Sequence, residues 1–141
     1  MSRASVRFPE MARHIEQLCR EHSIQMVEYN GRRSFALPAR RAIYIRPIKT
    51  QRTYIIALHE IGHIVGRGRS GRRLEGEAAA WEYVLQTTMA PLSAASYRFM
   101  LRALESYVAR AKRRKGMVLP AQESRFWQTH ARLKCGAACP G

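Results

Sequence analysis

Carboxylates are scarce in this sequence: 10 acidic residues stand against 25 basic ones over 141 positions, a formal net charge of +15. Such an excess disfavours basic partners and favours polyanions or acidic protein surfaces, without choosing between them. Cysteine is also sparse. Cys19, Cys135 and Cys139 are odd in number and two of them crowd one end, which excludes a disulfide framework and fits a reducing cytoplasm. Cys135 and Cys139, with His130 upstream, lack the two-residue spacing usual in structural zinc knuckles and read as free thiols. Long apolar runs are missing as well. The longest strongly apolar stretch, Tyr54 to Leu58, is five residues, against roughly 20 for a bilayer-spanning helix. Met1 to Glu10 mixes Arg3 and Arg7 with polar groups and Pro9, without the apolar core of a secretory signal. The expectation is a cytoplasmic protein with no membrane span.

What is present suffices for one core. With 46% apolar residues the chain reads as a single domain over 1–134, followed by a disordered tail over 135–141. Met11, Ile15, Leu18, Cys19 and His22 recur at spacings of three and four, predicting a first amphipathic helix over 9–23. Ile24 to Tyr29 and Arg32 to Leu37 flank Asn30-Gly31, a dipeptide suited to a tight hairpin, and Ala42 to Arg46 alternates as a third strand. Helical patterns then cover 50–65, 75–89, 92–115 and 121–134, separated by Gly66, Pro91, Gly116 and Pro120. This is an α+β pattern: a small antiparallel sheet of about three strands packed with a central helix and three to four further helices.

Chemistry concentrates in His59-Glu60-Ile61-Gly62-His63. Imidazoles four residues apart on a helix lie one above the other and can share a metal ion, with Glu60 beside them to take a proton from an activated water. Zinc held by three protein ligands, with its fourth position open, lowers the pKa of water toward neutrality. Three residues alone are a short pattern, so context must decide. Projected at about 100° per residue, His59, Glu60, His63 and Ile56 share one side of the helix, while Tyr54, Ala57, Leu58, Ile61, Ile64 and Val65 share the other. The apolar face anchors the helix and leaves the imidazoles to a site. Gly62 leaves room for a neighbouring segment to come close.

No histidine follows His63 until His130, so a third ligand must come from the carboxylates of the next helix. Glu77 falls on the face of Ala78, Trp81, Val84, Leu85 and Thr88, opposite Glu75, Glu82 and Gln86. A carboxylate on an apolar stripe is costly unless it is paired, and a cation removes much of that cost. The competing role is an acid that opens the helix and complements its dipole.

The blocks Ile56-Ala57-Leu58-His59-Glu60-Ile61-Gly62-His63-Ile64-Val65-Gly66 and Glu75-Gly76-Glu77-Ala78-Ala79-Ala80-Trp81-Glu82-Tyr83-Val84-Leu85, with Met89-Ala90-Pro91, resemble the ImmA/IrrE family of zinc metallopeptidases. The likeness spans about 43–91; Trp81-Glu82-Tyr83 departs from the family's usual aromatic-alanine-alanine run, and the chain after Pro91 matches weakly. It implies a minimal zincin-like fold, Zn²⁺ on His59, His63 and Glu77, and Glu60 as general base. It also implies an endopeptidase acting on a cytoplasmic protein, such as a DNA-binding repressor of a phage or mobile element. Tyr83, Tyr97, His130 and the loop arginines are the candidate oxyanion donors. Arg67, Arg69, Arg72 and Arg73, between the two ligand helices, are expected to bind an acidic or DNA-bound substrate. The alternative is a basic nucleic-acid-associated regulatory protein on a zincin scaffold without peptidase activity, motivated by the charge and by Lys112 to Lys115.

Overall fold

Met11, Ile15, Leu18 and Cys19 are the buried face of helix α1 (Phe8–Glu21) in the computed structural model, which describes residues 8–66, 73–114, 119–122 and 124–138. The helix ends on Ser23, whose φ of 54° turns the chain. There the Ile24 N–H donates to the Cys19 carbonyl at 2.7 Å and the Ser23 N–H to that of Arg20 at 3.3 Å. These paired bonds satisfy carbonyls that the last turn leaves open and drop buried Ile24 onto the core.

Three short strands follow: β1 (Gln25–Glu28), β2 (Phe35–Leu37) and, after a single 3-10 turn at Pro38–Arg40, β3 (Ala42–Ile45). The antiparallel sheet and the Asn30-Gly31 hairpin expected from the sequence are not formed. The order is β1-β3-β2, with β1 parallel to β3 (Gln25 opposite Ala42, Glu28 opposite Ile45) and only β2 antiparallel to it (Phe35 opposite Tyr44). Asn30 lacks the positive φ that a two-residue hairpin turn requires. The reason lies in β3, whose Ala42, Ile43 and Ile45 are buried. An apolar strand gains most from the centre of the sheet, and pairing β1 with β2 would deny it one of its two partners.

Helix α2 (Gln51–Val65) is capped by Thr50, whose side chain accepts from the Thr53 N–H while the Thr53 hydroxyl accepts from the Thr50 N–H. It is the centre of the molecule. Tyr54, Ile55, Leu58 and Ile61 are fully buried, and the helix packs on α1, the sheet and α3 (Arg73–Thr87). The Tyr54 hydroxyl pairs with His14 Nδ1 at 2.6 Å and accepts from the Met89 N–H at 3.1 Å, joining α1, α2 and the segment after α3. Helices α4 (Ala94–Arg113) and α5 (Arg125–Ala138) close the core with Met100, Leu104, Phe126 and Leu133. Helix α5 runs through Cys135, where a disordered tail was expected, to Ala138. Among the described residues no helix is long and apolar enough to cross a membrane.

Candidate metal centre

Gly62 decides how closely α2 and α3 approach. A Cβ there would lie 3.0 Å from both the Cα and the carbonyl oxygen of Ala80 and 3.1 Å from Cβ of Tyr83, so only glycine lets the two backbones meet at this distance. Three residues before Ala80, that contact delivers Glu77 to the histidine face of α2. The sequence placed this face opposite the apolar anchor and presented it to a site. Helix α3 covers it: His59 is 6% exposed, Glu60 9% and Glu77 8%. The indole of Trp81, one turn beyond Glu77, packs on the His59 ring with centroids 3.9 Å apart.

Three side chains converge. Nε2 of His59 lies 3.1 Å from Oε1 of Glu77, Nε2 of His63 lies 3.0 Å from Oε2 of Glu77, and the two Nε2 atoms are 3.1 Å apart. Hydrogen bonds alone cannot satisfy this triangle. A neutral imidazole nitrogen either carries a proton or offers a lone pair. If both Nε2 atoms donate to Glu77, two N–H groups confront each other; if one accepts from its neighbour, its lone pair faces a carboxylate oxygen. A cation between the three groups removes the conflict once both rings carry their proton on Nδ1 and turn the Nε2 lone pairs toward it. Tetrahedral zinc with bonds of about 2.0–2.1 Å would space its ligand atoms by roughly 3.3 Å, close to these separations. Two imidazoles and a carboxylate are also a donor set suited to zinc. Thus the buried group His59, His63 and Glu77 could hold a metal ion. Nδ1 of His59 is buried without a hydrogen-bond partner among the described residues, and the Trp81 indole packs on the ring.

The surroundings push the two carboxylates apart. Burial alone would raise Glu77, but hydrogen bonds and charge from His59 and His63 outweigh it and bring the carboxyl down to about 2. Burial raises Glu60 to about 7, helped by the charge of Glu77 and opposed by His63. His59 is lowered by burial. For His63 burial is outweighed by the hydrogen bond and charge of Glu77 and by Glu60, and it is raised. One carboxylate is therefore held ionised, while its neighbour can take or give a proton near neutrality.

His59, Glu60 and Glu77 open onto a pocket of about 470 Å³, whose apolar wall includes Ile56, Trp81 and Phe99. The described cations around it were not among those expected. Arg67, Arg69 and Arg72 lie outside the described residues, and Arg73, the first residue of α3, sits 5.7 Å from the Tyr107 ring without lining the pocket. Among the described residues, Arg32, Arg33, Arg46, Arg52 and Arg110 line it. Four of these five come from elements distant in sequence and were not legible. Arg52 stands seven residues before His59, on the same helical side, and that spacing was a usable signal. Of the oxyanion donors named from the sequence, the two tyrosines and His130 are placed elsewhere. Tyr83 lines a different pocket, His130 pairs with Glu105 at 3.2 Å, and Tyr97 packs against Gly136 of α5. Among the described residues, Tyr107 of α4, half-buried, is the tyrosine that lines the pocket. No family model matches the chain, and neither a curated protein nor a solved structure matches it.

Proposed function

We propose that this chain is a zinc-dependent endopeptidase of the zincin type, acting on a protein substrate. The observation that carries this reading is the triangle of His59, His63 and Glu77, two of whose members, His59 and Glu77, line a pocket together with Glu60. Zinc, when bound there, supplies a Lewis acid that acidifies water and polarises a carbonyl. The chain's own residues do the rest. Glu60, in the same pocket as His59 and Glu77, accepts a proton from the attacking water and returns it to the departing amine. Ile56, Trp81 and Phe99 exclude bulk water and strengthen every charge interaction inside. Tyr107, which lines the same pocket, donates toward charge developing on the carbonyl oxygen in this reading. The resemblance to ImmA/IrrE enzymes extends the reading to a cytoplasmic repressor of a phage or mobile element as substrate; the site geometry supports the hydrolysis, and the choice of substrate comes from the likeness.

The test is cleavage of a mixed peptide library by the zinc-loaded protein, with new chain ends read by mass spectrometry. New ends that appear with the wild type and vanish with Glu60→Gln support the reading. Identical products from both proteins, or none from either across the library, overturn it.

A further inference from the structure

Arginine makes up five of the sixteen described residues around the central pocket, about twice its share of the chain. Arg32 and Arg33 precede β2, Arg46 follows β3, Arg52 opens α2 and Arg110 lies in the last turn of α4. All five are exposed, and among the described residues none is paired with a carboxylate. Two are held in place without being neutralised. The Arg52 guanidinium sits 4.5 Å above the Phe99 ring and that of Arg110 lies 5.5 Å from the Tyr107 centroid. On the sheet side, the Arg46 N–H donates to Ser34 Oγ at 3.2 Å, tying together the two segments that carry Arg32, Arg33 and Arg46. Like charges gathered around one opening repel, and an anionic ligand relieves the repulsion.

We propose that this pocket selects acidic peptide segments, with the arginines receiving Asp and Glu side chains on either side of the bond that is cut. The proposal rests on the endopeptidase reading and names its substrate class. Charge is layered in a way that fits a peptide: the floor holds the buried carboxylates Glu60 and Glu77, and the rim holds the exposed guanidiniums. A peptide brings neutral amides to the floor and sends its carboxylates to the rim. A nucleic-acid strand carries its charge on the backbone itself, at every residue, whereas here the guanidiniums stand at the rim and the wall beneath them is apolar. The apolar wall of Ile56, Trp81 and Phe99 suits side chains between the acids.

Binding is measured by fluorescence anisotropy with Glu60→Gln protein, so that the probe is not consumed, at a salt concentration of about 0.15 M. The probes are a short labelled peptide alternating glutamate with alanine, the same peptide with glutamine for glutamate, and a labelled oligothymidylate of equal charge. Added Arg32→Gln, Arg33→Gln and Arg46→Gln form the pocket variant. Arg13→Gln, Arg20→Gln and Arg132→Gln, all exposed on α1 and α5, form a control with the same loss of charge. The glutamate peptide is expected to bind at least tenfold tighter than the glutamine peptide. The pocket variant should lose about tenfold of that affinity, as three partly screened charge pairs would provide, and the control less than about twofold. Arg110→Gln, on the opposite wall, should weaken the same probe in the same direction. Equal losses in pocket variant and control overturn the proposal, as does equal binding of the two peptides. Tighter binding of the oligothymidylate that depends on the pocket arginines overturns it in favour of a nucleic-acid ligand. Cleavage is not the readout, so a chain that passes this test without hydrolysing anything sinks the peptidase reading alone.

Discussion

Replacing Glu60 with glutamine is predicted to stabilise the metal-free protein, and only at neutral and alkaline pH. The carboxyl has a reference value of 4.5 and is raised to about 7 in the folded chain, chiefly by burial. Below pH 4.5 both folded and unfolded chains keep this proton, and it contributes nothing to their balance. Between pH 4.5 and 7 the unfolded chain releases it while the folded chain retains it, so stability falls as pH rises; above pH 7 the loss is complete. At 1.36 kcal/mol for each pKa unit, the cost approaches roughly 3 kcal/mol. Glutamine carries no charge and escapes it. Thermal melts in chelator, followed by circular dichroism from about pH 5 to 8.5, should show the variant gaining little at the acidic end and about 10 °C at the alkaline end. A gap that stays constant across this range would refute the reasoning, because it would mean that the Glu60 carboxyl is not destabilised by its burial. The stability given up at this position is the physical counterpart of a base poised near neutrality.

Gly62→Val should cost about 1–3 kcal/mol and weaken zinc binding together, because the new side chain meets the Ala80 backbone rather than a movable group; the urea midpoint and a zinc titration check both, and an unchanged midpoint would count against the close helix contact. Tyr54→Phe leaves the Met89 N–H and His14 Nδ1 without their shared partner and should lower stability by about 1–3 kcal/mol, again read from the urea midpoint. Burial pushes the Cys19 thiol up to about 11, whereas Cys135 is exposed. At pH 8 a disulfide reagent should therefore modify Cys135 rapidly and Cys19 only after unfolding, and rapid labelling of Cys19 in the native protein, located by peptide mapping, would contradict its placement in the core.

Helices were the legible part of this fold. Met11, Ile15, Leu18 and Cys19 announce α1, and Thr50 and Gly66 bracket α2 where the periodicity begins and ends. The residues of the candidate metal centre were legible for the same reason. Helical spacing relates His59 to His63 on one element and places Glu77 and Trp81 on one face of the next, so the sole long-range inference needed was that these two helices touch. Gly62 hinted at that contact, and Ala80 shows why. The sheet was misread because strand pairing is a choice among distant partners: Asn30-Gly31 argued locally for a hairpin, and the burial of Ile43 and Ile45 decided globally for a central β3. The basic rim was missed on the same ground. Arg32, Arg46 and Arg110 share nothing in the sequence, and only the folded chain assembles them around one pocket.

Zinc content of the purified protein, determined by elemental analysis for wild type and His63→Ala side by side, tests the metal centre most directly. One zinc ion per wild-type chain, lost on the substitution while the helical spectrum is retained, is the predicted result. A wild-type chain that binds no divalent metal even when zinc is supplied, or a variant that keeps the ion, would contradict it.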